Sequence, residues 1–139
     1  MKILFDTNVL VAAFISHGVC NEVFDHCLDE YDVYTSDYIL NELINKLVRK
    51  FQFPEHKIQW ALKNIVDSAV VIKKATLPSK QISRDKDDDN IIAAALKANV
   101  DCIISGDKDL LVLKTIKEIP IIKPNYFWKF EKDFKSKNS

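Results

Sequence analysis

Short apolar runs, each too brief for a helix, recur along this chain with longer amphipathic stretches between them. The runs "KILF" (2–5), "DVYT" (32–35), "AVVI" (69–72), "DCIIS" (101–105) and "PII" (120–122) read as strands. The intervening residues change period. Val19, Val23, Phe24, Cys27 and Leu28 fall at spacings of three and four, as do Ile39, Leu40, Leu43, Ile44, Leu47 and Phe51 behind a capping Ser36. "VLVAAFI" (9–15) also reads as helix, Pro54 opens another at 55–67, and residues 89–98 form a helix that leads into the fourth strand. "NYFWKFEKDF" closes the chain as a helix, while 73–88 is polar and loop-like. Strands that alternate with helices are the signature of an α/β fold around a mostly parallel sheet, here of about five strands.

Composition narrows the function classes. The 139 residues suit one domain, and 20 basic against 20 acidic residues give no net charge, so any nucleic-acid footprint must be local. With only two glycines there is neither a G-x-G-x-x-G nor a P-loop, which argues against a glycine-rich nucleotide cradle. Cys20, Cys27 and Cys102 are odd in number and lack C-x-x-C spacing, as expected of thiols in a reducing, cytoplasmic compartment. No apolar run approaches the roughly 18 residues of a membrane helix, and "MKILFD" meets Asp6 too soon for a signal peptide. No membrane partner is expected.

The chemistry lies in the acids. Open α/β sheets bind ligands beyond the carboxyl ends of their strands. Asp6 follows the first strand and Asp107 the fourth, Asp89 begins the helix into the fourth strand, and Glu42 lies in the helix after the second. Each also has a purely structural reading. Asp6, Thr7 and Asn8 can cap a helix, Asp107 suits a turn, Asp89 suits a helix N-terminus, and Glu42 can pair with Lys46 at i,i+4. Four aspartates within residues 85–89 exceed what one cap uses. Two carboxylates about 4 Å apart repel by roughly 4 kcal/mol at an effective dielectric near 20, and a divalent cation relieves that. An all-oxygen donor set suits Mg²⁺ or Mn²⁺ better than zinc. His17, His26 and His56 stand apart from these acids in sequence and read as surface or helix residues.

In order and spacing, "FDTNVLVAAF", "DYILNELINKL", "DDDNIIAAAL" and "DCIISGDKDLL" resemble the PIN domain family, best represented by VapC-type toxins. The likeness runs from Lys2 to about Phe130, and "IPIIKPNYFW" is similar to the family's last strand and its turn into the final helix. It implies a three-layer α/β/α sandwich, with residues 1–132 as the nuclease domain and 133–139 as a frayed polar tail. The four acids would be Asp6, Glu42, Asp89 and Asp107, with Asp87 and Asp88 as neighbouring candidates for the third. Ser105 stands where many members carry Thr, and Lys86 where many carry Pro.

The implied activity is phosphodiester hydrolysis of RNA with one or two Mg²⁺ or Mn²⁺ ions. Asp6, Asp89 and Asp107 would hold metal, and Glu42 a second metal or the attacking water. Thr7, Asn8 and Ser105 are candidates for hydrogen bonds to ligands or phosphate, and Asp109 for an accessory acid. Phosphate would meet Lys46, Arg49, Lys50, Arg84, Lys86 or Lys108. The resemblance also implies a prokaryotic cytoplasmic toxin, a cognate antitoxin, and a homodimer for which the helices of 36–67 offer a surface. Two alternatives are a non-catalytic PIN-like binding module and a haloacid-dehalogenase-type phosphatase. The second needs an Asp two residues after Asp6, where this chain has Asn8. The lysines and aromatics of 123–139 could stack on single-stranded RNA, but their spacing favours packing of a terminal helix.

Overall fold

In the computed structural model, β1 (Lys2–Phe5) lies near the middle of a sheet ordered β3-β2-β1-β4-β6-β5. The structure describes residues 1–72, 77, 81–85 and 87–138; Lys86 and most of the polar stretch from 73 to 80 lie outside the described residues. β1 is flanked in parallel by β2 (Asp32–Ser36) and β4 (Cys102–Ile104), with Leu4 opposite both Tyr34 and Ile103. A strand paired on both sides and covered on both faces must be apolar throughout. Ile3, Leu4 and Phe5 are accordingly fully buried.

β1 reaches β2 through α1 (Thr7–Ile15) and α2 (Val19–Glu30), and β2 reaches β3 (Ala69–Ile72) through α3 (Asp37–Arg49) and α4 (Glu55–Ser68). The chain then reverses across the sheet through α5 (Asp88–Ala98) to β4. Right-handed crossovers set α1 to α4 on one face and α5 on the other, which makes three layers. α1 packs on α2 and α3, and α5 on β2 and β3. The helix boundaries follow local chemistry. Ser36 Oγ accepts from the Ile39 N–H at 3.2 Å to start α3, and Asn99 ends α5 at φ 52° in the left-handed region that Asn tolerates. Ala93, Ala94 and Ala95 let α5 sit close to the sheet, and all three are buried.

Two expectations change. Among the described residues the sheet has six strands rather than about five, because the two-residue β5 (Thr115–Ile116) pairs antiparallel with β6 (Ile119–Ile122). Their hairpin turns at Lys117 and Glu118, both at positive φ (44° and 73°). Two-residue hairpins usually advertise that conformation with Asn-Gly, and Lys-Glu carries no such signal. The apolar stripe of α3 also ends sooner than its sequence period: the helix stops at Arg49, and Phe51 is 41% exposed.

After β4 come a short α6 (Lys108–Leu111), and after β6 a 3₁₀ turn (Pro124–Tyr126) and α7 (Phe127–Lys137), which takes in most of the polar tail. α7 is pinned to α2 and the turn after it. His26 Nε2 lies 2.6 Å from Glu131 Oε2, and the Tyr31 hydroxyl donates to the same oxygen at 2.5 Å. Phe127 is fully buried, whereas Tyr126 and Trp128 stay exposed, so the terminal aromatics only partly serve packing. Cys27 and Cys102 are buried free thiols and Cys20 is half-buried. Among the described residues no helix is long and apolar enough to cross a membrane.

Candidate metal centre

The chain reverses direction between β1 and β4, and a crevice opens at the carboxyl end of that switch point. Asp6 follows β1 directly, and Asp107 follows β4 after Ser105 and Gly106. The Asp6 N–H donates to the Ile104 carbonyl at 3.0 Å, so the strand ends are clamped side by side. A polar relay continues from there. The Asp107 N–H donates to Ser105 Oγ at 2.9 Å, and the Ser105 hydroxyl donates to Asp6 Oδ2.

Capping and cleft-lining coincide at both aspartates. Asp6 Oδ1 accepts from the Val9 N–H at 2.9 Å and starts α1; Asp107 Oδ1 accepts from the Asp109 N–H at 2.8 Å and starts α6. Each carboxylate also lines the crevice, a cavity of about 270 Å³. Glu42 reaches it from α3, and the Thr7 hydroxyl donates to Glu42 Oε1 at 2.9 Å. Lys46, one turn further along α3, donates to Asn8 Oδ1 at 2.7 Å and also lines the crevice. These two bonds tie α3 to the start of α1, in place of an i,i+4 contact within α3.

The acidic run divides by helical phase. Asp88, with Asp85 and Asp87, lines the crevice. Asp89 holds the preceding segment instead: its Oδ2 accepts from the Ile82 N–H at 3.0 Å and its Oδ1 from the Ser83 N–H at 2.9 Å. The Ser83 hydroxyl donates to Asp88 Oδ2 at 3.3 Å. One oxygen from each of Asp88, Asp107 and Asp109 lies within 4.8 Å of the others. Two N–H groups of Arg84 converge on Asp109 Oδ1, at 3.0 and 2.6 Å. Lys108 adjoins these acids in the first turn of α6.

Electrostatics mark the same place. Burial pushes Asp88 up to about 7, with Asp107, Asp85 and Asp6 adding to the rise and the Ser83 hydroxyl opposing it. Burial also raises Asp6; the bonds from Ser105 and Val9 oppose that, and Asp107 reinforces it. Tyr38 was not singled out from sequence. It stands one helical turn before Glu42, and burial with the charges of Glu42 and Asp87 pushes its hydroxyl up to about 12. The i,i+4 spacing of Tyr38 and Glu42 was the available signal.

The donor set fits a hard divalent cation. Asp6, Glu42, Asp88 and Asp107 offer carboxylate oxygens to one crevice, and among its described lining residues there is no His or Cys and Lys46 is the one cation. Carboxylates pushed upward by burial, with neighbouring acids adding to the rise, are what a cation would relieve.

Comparison with known proteins bears on the family and the fold. A family model described as "PIN domain" matches residues 2–109. No curated protein sequence matches the chain significantly. Similar solved structures include VapBC2 from Rickettsia felis, bound to a DNA fragment from their promoter, with a TM-score of 0.63 and 14% identity over 88% of this chain and 98% of that one. VapC20 of Mycobacterium tuberculosis, described as a sarcin-ricin loop cleaving toxin, matches at 0.61 with 15% identity over 85% and 98%. FitAcB from Neisseria gonorrhoeae matches at 0.56 with 16% identity over 88% and 97%. At such identities the likeness is one of fold.

Proposed function

The chain belongs to the PIN domain family, and from that footing we propose that it is a metal-dependent endoribonuclease, the toxin of a type II toxin–antitoxin pair. The observation that carries this reading is the convergence of Asp6, Glu42, Asp88 and Asp107, from four separate segments, on one crevice with Lys46. Membership in the family leaves the dehalogenase-type alternative without support.

Asp6, Asp88 and Asp107 would hold one or two Mg²⁺ or Mn²⁺ ions, with Asp109 as an accessory. Asp89 contributes by fixing the segment before α5. When bound, the cation supplies Lewis acidity toward the phosphodiester and makes a water more acidic. The chain's own residues do the rest. The Ser105 hydroxyl favours the charged form of Asp6. Thr7 fixes Oε1 of Glu42, which orients Oε2 to accept a proton from the attacking water. Lys46, steadied by Asn8, presents its ammonium to a substrate phosphate. Lys108 and Arg84 add positive charge at the rim, which gives affinity for RNA without sequence choice.

The same reading places the protein in a prokaryotic cytoplasm, with an antitoxin covering the crevice and a homodimer built on the helices of 36–67. VapBC2 and FitAcB, whose fold this chain shares, support the toxin–antitoxin setting.

The test is cleavage of a mixed-sequence single-stranded RNA with Mn²⁺, Mg²⁺ or EDTA. Wild type should cut only with metal, and Asp6→Asn and Asp88→Asn should each lose at least about 100-fold, the scale of removing an electrostatic group at a reacting centre. Equal cutting by all three proteins would sink the site assignment. Absence of cutting by wild type with either metal would favour a binding module.

A further inference from the structure

Asp109 is where the crevice and its rim compete. One of its oxygens lies within 4.8 Å of oxygens from Asp88 and Asp107, close enough to share a cation with them. Yet Arg84 Nε and Nη2 both donate to Asp109 Oδ1. The backbone beneath Arg84 is anchored, because Gln81 Nε2 donates to the carbonyls of Ser83 and Arg84 at 2.8 and 3.1 Å and Asp89 holds the Ile82 and Ser83 amides. The guanidinium itself extends into solvent, with 79% of the side chain exposed against 31% for Asp109.

A divalent cation and a guanidinium drawn to one carboxylate repel each other. Whatever draws the charge of Asp109 into the crevice weakens its hold on Arg84. A released guanidinium on an anchored backbone then needs a new anion, and its planar donors match a phosphate. We propose that Arg84 is a phosphate-binding residue of this crevice, held on Asp109 until a divalent cation claims that carboxylate, so that metal loading and RNA binding are coupled through one ion pair. The inference rests on the metal-dependent ribonuclease reading and adds to it an order of events, with the Arg84–Asp109 pair as the link between metal and RNA.

The experiment uses the full chain, with Glu42→Gln added only in the RNA-binding arm to keep RNA intact. Calorimetry reads Mn²⁺ affinity, and anisotropy reads binding of a labelled single-stranded RNA in Mn²⁺ or EDTA. Arg84→Ala should bind Mn²⁺ about two- to fivefold more tightly, the size of an exposed ion pair, and should lose most of the gain in RNA affinity that Mn²⁺ gives the parent. Asp109→Asn should bind RNA more tightly than the parent in EDTA, because Arg84 is no longer held. If Arg84→Ala changes neither Mn²⁺ affinity nor the metal-dependent gain, the pair is a surface tether and the proposal fails. If wild type, with Glu42 and every other crevice carboxylate in place, binds no Mn²⁺ in calorimetry, the metal reading itself fails and the coupling goes with it.

Discussion

Asp88 and Asp89 are adjacent in sequence and opposite in duty. Asp88 adds charge to an already acidic crevice, whereas Asp89 satisfies two backbone amides of the segment in front of α5. Their asparagine variants should therefore diverge. Asp89→Asn turns one acceptor into a donor and leaves an amide unsatisfied, a loss of about 1–3 kcal/mol. Asp88→Asn removes a crowded charge, so the metal-free protein should melt at a higher temperature while Mn²⁺ affinity collapses. Thermal melts in EDTA with Mn²⁺ calorimetry separate the two. A lower melting temperature for Asp88→Asn would show that its charge is not under strain.

Elements carry predictions of their own. The β5–β6 hairpin turns on Lys117 and Glu118 at positive φ, where L-residues with a Cβ are strained by roughly 1–2 kcal/mol each. Glu118→Gly removes the strain at one of them, although glycine gives part of it back as unfolded-state entropy. A net gain of about 0.5–1 kcal/mol is expected in urea unfolding; a loss would mean that the Glu118 side chain makes a stabilising contact. The docking of α7 is acid-sensitive. Burial alone would raise Glu131, but hydrogen bonds from Tyr31 and His26 and the charge of Lys135 outweigh it and hold the group below its ordinary 4.5. A carboxyl depressed in the folded state stabilises fully above its unfolded value and loses that contribution as pH falls through the folded one. Stability should thus drop below about pH 4.5. Glu131→Gln should lower stability at neutral pH and flatten that acid limb, as read by urea midpoints at several pH values.

The whole molecule is a balance between a well-packed α/β core and a crevice in which carboxylates repel one another. A ligand that binds only the folded form stabilises it by mass action, about 2.7 kcal/mol at a hundredfold excess over its dissociation constant. Mn²⁺ should raise the melting temperature of wild type, EDTA should reverse the shift, and Asp6→Asn should blunt it. An unchanged melting temperature at saturating Mn²⁺ would mean that the crevice does not gain from a cation.

The strand–helix alternation, the parallel sheet and the two aspartates after β1 and β4 were all legible in the residues, because periodicity and strand-end position are local properties. So were the capping roles of Ser36 and Asp6, each set by a side chain a few residues from its amide. Tertiary structure decided the rest. Whether Asp88 or Asp89 faces the crevice depends on a helical phase of about 100° per residue, which only the packing of α5 on the sheet settles. The partners of Glu42 and Lys46 lie on α1, more than thirty residues away, where a sequence reading sees only the neighbour at i+4. Arg84 on Asp109, and a hairpin without glycine, likewise exist because the folded chain brings and holds those groups together.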